Sequence, residues 1–126
     1  MSEGVLGIVV SHGSLAQALV NAVGRITGPD TGLVPVSNDG CSTGSLGDRI
    51  RAVTRDGPCI LFIDMPGGSC FMAAAKCLRE RSDVGIVSGV NLPMLLDFVH
   101  HRDQDVSTIV RRLVDVGARA IRTIPT

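Results

Sequence analysis

Short apolar runs alternate with longer amphipathic segments along the chain. Runs within 5–10, 33–36, 59–63 and 83–87 predict four strands. The first and third runs are almost continuously apolar, which is typical of parallel strands covered on both faces. An amphipathic segment follows each strand. The pattern therefore predicts an α/β protein with a doubly wound, mainly parallel sheet.

Right-handed crossovers restrict the possible strand orders, and the simplest one left is the flavodoxin-like order 2-1-3-4. After the fourth strand, the pattern predicts two helices, the second over 106–116 with its end at Gly117. The tail over 118–124 predicts a last strand. The length of 126 residues, without repeats or linkers, indicates one domain over 1–126.

Polar residues before three of the amphipathic segments predict helix caps. Ser14 with Gln17 is a capping-box pattern, Ser69 is expected to cap the helix after the third strand, and Asn91 the next one. The helix after Ser69 is expected to bury four apolar residues: Phe71, Ala74, Ala75 and Leu78.

A histidine and a carboxylate stand at the ends of strands that the predicted order makes neighbours. His12 follows the first strand and Asp64 follows the third. Ligands of open α/β sheets bind beyond the carboxyl ends of the strands at this switch point, so the two side chains are expected to meet there. A carboxylate that accepts a hydrogen bond from Nδ1 leaves Nε2 free as a nucleophile and stabilises positive charge on the ring.

Backbone amides near this pair predict an anion site. Gly13 follows the histidine, and Gly67, Gly68 and Ser69 precede a helix whose positive N-terminal end favours a phosphoryl group. Together the parts indicate a histidine phosphorylated by in-line transfer, with charge stabilised by dipoles, no metal and no cofactor. The alternative is a structural histidine beside an ordinary glycine loop.

Composition excludes several other classes of function. Twelve Lys and Arg residues balance twelve Asp and Glu, and three Phe with no Tyr or Trp offer few stacking platforms, so no nucleic-acid binding is expected. No apolar stretch is long enough to span a membrane, and the N-terminus does not resemble a signal peptide. A cytoplasmic protein without membrane insertion is expected.

The four cysteines indicate reduced thiols. They stand at 41, 59, 70 and 77 without a CxxC pair, which favours neither a disulfide framework nor a zinc site. Cys41 and Cys70 are placed in loops by the pattern, and the other two in regular elements.

Three segments resemble the IIA domain of the mannose-family bacterial phosphoenolpyruvate-dependent sugar phosphotransferase system. They are Val-Ser-His-Gly over 10–13, Asp-Met-Pro-Gly-Gly-Ser over 64–69 and Gly-Val-Asn-Leu-Pro-Met-Leu-Leu over 89–96. The resemblance covers nearly the whole chain in order. The sequence departs from the family's pattern in one loop, where Cys70 and Met72 replace the proline and asparagine of the usual Gly-Gly-Ser-Pro-x-Asn.

The resemblance implies a phosphotransferase component of sugar uptake. His12 would accept a phosphoryl group from the carrier protein HPr and pass it to a IIB protein, with Asp64 orienting the ring and the Ser69 loop lining the phosphoryl site. It also implies a homodimer whose C-terminal strand crosses to the partner's sheet, antiparallel to the rest. An apolar docking face is expected around His12, framed by Met65, Pro66, Phe71 and Met94. The alternative is that some of these four residues belong to the core.

Other functions stay open on the sequence. A regulatory phosphoprotein without sugar transport would keep the same chemistry, and a related domain begins the phosphotransferase subunit of dihydroxyacetone kinases. Outside the family, a flavodoxin-like module could bind a small ligand without transfer chemistry. The sequence names no sugar.

Overall fold

The computed structural model describes residues 4–125, whose strands form one parallel sheet. The strands are β1 (Leu6–Ser11), β2 (Leu33–Ser37), β3 (Cys59–Ile63) and β4 (Val84–Ser88). Their order is β2-β1-β3-β4, and every neighbouring pair is parallel. The predicted order 2-1-3-4 is confirmed, and β1 and β3 lie side by side in the middle of the sheet.

Within residues 4–125, five helices cover both faces of the sheet: α1 (Leu15–Thr27), α2 (Thr43–Val53), α3 (Gly68–Glu80), α4 (Leu92–Val99) and α5 (Val106–Arg119). The apolar side chains of α2 and α3 form one core with one face of the strands, and those of α1, α4 and α5 form a second core with the other. Every residue of β1 and β3 is buried, because both strands are covered on two sides. The doubly wound architecture is thereby confirmed.

Two of the predicted helix caps are wrong. Ser14 stands at the N-terminus of α1, but its side chain makes no capping bond. The buried Ser11 hydroxyl instead accepts a hydrogen bond from the Ala16 amide at 2.7 Å. Helix α3 begins at Gly68, so Ser69 lies inside it and does not cap it. The predicted Asn91 cap is confirmed, because its side chain accepts a hydrogen bond from the Met94 amide at 3.1 Å.

The buried face of α3 is rotated from the predicted one. Phe71 and Ala75 are only partly buried, and Leu78 is 43% exposed. The residues that α3 buries are small: Cys70, Ala73, Ala74 and Cys77. Small side chains allow the helix to approach the sheet closely, and buried cysteine behaves as a small hydrophobic residue.

The C-terminal segment differs from the prediction. Helix α5 continues past Gly117 to Arg119, which includes the first residues of the predicted strand. Gly117 does not end the helix; a Cβ added there would lie 2.6 Å from the Met94 Cε, so glycine permits close packing against α4. Residues 121–125 have no regular secondary structure, and Ile121 and Ile124 are 82% and 84% exposed. The exchanged antiparallel strand and the homodimer stay predictions.

Candidate functional site

His12 and Asp64 are the first residues after the two central strands. Helix α1, which follows β1, packs on one face of the sheet, and α3, which follows β3, packs on the other. The chain thus diverges between β1 and β3, and a crevice forms where the strand order reverses. The structure brings the two side chains together in this crevice, as the topology predicted.

A single carboxylate oxygen holds His12 at two points. Asp64 Oδ2 accepts a hydrogen bond from the His12 backbone amide at 2.9 Å and lies 2.7 Å from His12 Nδ1. Asp64 Oδ1 accepts another from the Met65 amide at 2.9 Å. A bond of this length to an ionised carboxylate requires the ring proton on Nδ1, which leaves the lone pair on Nε2. The His12 side chain is 45% exposed and that of Asp64 is 10% exposed, so the ring is open to solvent while its carboxylate is shielded.

The environment of Asp64 keeps it ionised. Burial by itself raises the pKa of this carboxyl, but hydrogen bonds from the His12 ring and the His12 and Met65 backbones outweigh it. The net result is a pKa below the ordinary value of 3.8. Asp64 therefore carries its negative charge at neutral pH and faces the ring with it.

Asn38, in the loop after β2, clamps the other side of the histidine. Its backbone amide donates to the Ser11 carbonyl at 3.0 Å, and its side-chain Oδ1 accepts from the Gly13 amide at 3.2 Å. The Gly13 amide is therefore already paired, and a phosphoryl group would have to share it. Nothing in the sequence separates Asn38 from an ordinary loop residue, since its role depends on β1 and β2 being neighbours.

The glycine loop lies against the imidazole. Gly67 and Gly68 have φ values of +98° and +79°, in a region that other residues rarely adopt. A Cβ added at Gly68 would lie 3.8 Å from both Cε1 and Nε2 of His12. The start of α3 at Gly68 is thus beside the ring nitrogen Nε2, Ser69 is the next residue of the helix, and the first amides of α3 lack partners within the helix.

Cys70 is a site residue that sequence reasoning missed. It lies inside α3 and is fully buried, so its predicted loop position is wrong. Its Sγ lies 3.8 Å from His12 Nδ1. Burial, and to a smaller extent the negative charge of Asp64, raises the pKa of the Cys70 thiol to about 11. The available signal was its place in the altered loop motif, six residues after Asp64.

Fold and site together define a flavodoxin-like α/β domain with an exposed histidine–carboxylate pair at its switch point. The chain belongs to the mannose-type EIIA family, whose sequence profile, described as PTS system fructose IIA component, matches residues 7–113. IIA components of this mannose/fructose family serve as phosphotransfer carriers in sugar uptake.

Known relatives agree with this family. The PTS system fructose-specific EIIA component of Bacillus subtilis (strain 168) is 29% identical over 103 residues, covering 76% of this chain and 69% of that protein. The PTS system mannose-specific EIIAB component of Escherichia coli (strain K12) is 23% identical over 124 residues. That match covers 93% of this chain and only 38% of the longer protein.

A solved structure shows the same fold. Phosphotransferase system component EIIA from Streptococcus agalactiae superposes with a TM-score of 0.88 at 22% identity, covering 94% of this chain and 96% of that one. Within residues 4–125, no helix is both long enough and apolar enough to cross a membrane.

Proposed function

We propose that this IIA component accepts a phosphoryl group from HPr on His12 Nε2 and passes it to a IIB protein. The observation that supports this most directly is the 2.7 Å contact between Asp64 Oδ2 and Nδ1, which leaves Nε2 as the nucleophile. In the transfer, the Nε2 lone pair forms a bond to phosphorus while the bond from phosphorus to HPr breaks, and its electron pair stays on HPr. The Nδ1 proton remains on the ring.

Asp64 and the glycine loop have separate roles in this step. The ring gains positive charge as Nε2 bonds to phosphorus, and the ionised carboxylate at 2.7 Å stabilises that charge. The amides of Gly67, Gly68 and Ser69 at the start of α3 would stabilise the negative charge on the phosphoryl oxygens. Gly13 would contribute through the amide that it now donates to Asn38.

The surroundings of His12 suit a protein partner. Exposed apolar side chains occur next to Asp64, at the first residue of α1 and in the second turn of α3, namely Met65, Leu15 and Met72, which are 51%, 45% and 51% exposed. Pro66 is also exposed, as expected of a docking face. Phe71 is only half-buried, and Met94 is 4% exposed and belongs to the core, so its place in the expected docking face is wrong.

Phosphorylation with enzyme I, HPr and phosphoenolpyruvate tests the acceptor. Wild-type protein should give an acid-labile, alkali-stable adduct, and His12→Ala should give none. His100→Ala is the matched control, because His100 is exposed and lies at the end of α4, away from the site. Equal labelling of His12→Ala and wild type would refute the acceptor assignment.

Transfer from the purified phosphoprotein tests the onward acceptor. Candidate IIB proteins from the same genome should remove the label rapidly, and free sugars alone should not. Formation of a sugar phosphate without any IIB protein would contradict a carrier role. Labelling by HPr without transfer to any IIB protein would favour the regulatory phosphoprotein, and failure of HPr to label it would favour a ligand-binding module.

A further inference from the structure

Three side chains that commonly bind metals converge on one side of the imidazole. His12 Nδ1, an Asp64 carboxylate oxygen and Cys70 Sγ all lie within 4.8 Å of one another. Across residues 4–125, this is the one cluster of three such groups. Asp64 directly follows β3, Cys70 lies in the first turn of α3, and His12 directly follows β1, the neighbouring strand. The cluster is therefore a product of the tertiary fold.

We propose that His12, Asp64 and Cys70 form a binding site for a zinc-like divalent transition-metal ion, and that the ion competes with phosphorylation of His12. Imidazole, carboxylate and thiolate are the ligands that Zn²⁺ prefers, and three protein ligands leave a fourth position for water. The His12 side chain is 45% exposed while those of Asp64 and Cys70 are shielded, so an ion would enter past the imidazole.

Two of the three distances between ligand atoms require only small movements, and the third, between Asp64 and Cys70 Sγ, lies within 4.8 Å. Around a tetrahedral zinc ion with ordinary bond lengths, ligand atoms are roughly 3.3–3.5 Å apart. Nδ1 is 2.7 Å from Asp64 Oδ2 and 3.8 Å from Cys70 Sγ, so the first pair would separate by about 0.6 Å and the second approach by about 0.3 Å. The Met65 amide on Asp64 Oδ1 would hold the carboxylate in place, as contacts behind metal ligands generally do.

Binding would move two protons. Without metal, the thiol and Nδ1 each carry one. The ion takes the Nδ1 lone pair and the thiolate, so the thiol proton is released to solvent and the imidazole keeps its single proton on Nε2 instead. One proton is released per ion, and the two anionic ligands balance the divalent charge. Because Nε2 then has no lone pair, it cannot attack phosphorus; this consequence, unlike the binding itself, rests on the proposed function.

Metal binding is tested directly with Zn²⁺ and Co²⁺ on unphosphorylated full-length protein. Zn²⁺ is titrated in competition with a chromophoric chelator, and Co²⁺ by its near-ultraviolet thiolate-to-metal absorption. Wild type should bind one ion per chain and show that absorption. Cys70→Ser should lose the absorption and bind the ion at least about tenfold more weakly, since even mutation of residues that only support the metal ligands weakens binding that much. Cys41→Ser is the matched control, because Cys41 lies outside the cluster.

The outcomes of these experiments distinguish the metal site from its competition with phosphorylation. Absence of binding by wild type, or an unchanged Co²⁺ spectrum in Cys70→Ser, would overturn the site. If Cys70→Ser does not fold, Cys70→Ala makes the same comparison with a small apolar side chain. Zn²⁺ should also slow labelling by preformed phospho-HPr in wild type and Cys41→Ser more than in Cys70→Ser; equal slowing would overturn the competition. If the protein binds metal through Cys70 but HPr cannot label it, the proposed function is refuted and the metal site stands.

Discussion

Replacing Gly68 with alanine should impair phosphorylation far more than folding. The residue has a φ of +79°, and its added Cβ would lie 3.8 Å from His12 Nε2. In the unphosphorylated protein that distance is an ordinary van der Waals contact. The cost in folding is then the positive φ alone, which we expect to be about 1–2 kcal/mol for alanine.

The phosphorylated state is different, because in the proposed geometry a phosphoryl group bonded to Nε2 would extend into the space between that nitrogen and the new methyl group. The methyl group must displace either the phosphoryl oxygens or the ring. Misplacement of a reacting group on the scale of 1 Å costs a factor of roughly 100 in rate, or about 2.7 kcal/mol in the barrier. We therefore expect phosphorylation of Gly68→Ala by phospho-HPr to slow by about that factor.

Gly40→Ala separates the folding cost of alanine at a positive φ from the steric effect on the phosphoryl group. Gly40 has a similar φ of +72°, and no atom lies within 4 Å of its added Cβ. Both variants should lose similar stability in urea denaturation, while Gly40→Ala should keep a near wild-type initial rate of labelling. If Gly68→Ala is labelled as fast as Gly40→Ala, the phosphoryl group does not occupy the space beside Gly68, and the proposed geometry is wrong.

Three further predictions concern Asp64 and the C-terminal segment. Asp64→Asn should slow labelling by phospho-HPr by roughly ten- to a thousandfold, through loss of tautomer control and charge stabilisation; an unchanged rate would exclude an orienting role. Because the folded-state pKa of Asp64 lies below 3.8, its ionised form stabilises the fold above that pH, and this stability is lost as pH falls through the folded pKa. Urea midpoints between about pH 6 and 3 should therefore fall more steeply for wild type than for Asp64→Asn. Sedimentation at micromolar concentration should show a dimer that deletion of residues 121–126 weakens, because Ile121 and Ile124 are exposed and β4 is one of the two edge strands of the sheet; a monomeric wild type would contradict this.

The two departures from the family's usual loop motif have different settings in the structure. Met72 replaces the asparagine and is 51% exposed in α3. Cys70 replaces the proline and is buried against the imidazole. The first change therefore alters an exposed position of α3, and the second adds a thiol to the immediate surroundings of His12.

The sequence by itself determined the sheet and the neighbourhood of His12 and Asp64. Apolar periodicity is a local property, and it located β1 and β3 because strands covered on both faces must be apolar throughout. The crossover rule then made these strands neighbours, which brings together two residues 52 positions apart. Gly67 and Gly68 were also recognised as a loop before α3, and only the structure shows that both have a positive φ there, which other residues rarely adopt.

Only the tertiary structure decided how individual side chains meet. The buried face of α3 depends on how closely the helix approaches the sheet, and that close packing placed Cys70 rather than Phe71 in the core. The Asn38 clamp on Gly13 depends on a loop from a neighbouring strand. The close packing of α5 on α4 depends on Gly117, where an added Cβ would lie 2.6 Å from the Met94 Cε. In each case the deciding contact joins residues distant in sequence, so no local pattern carries its signal.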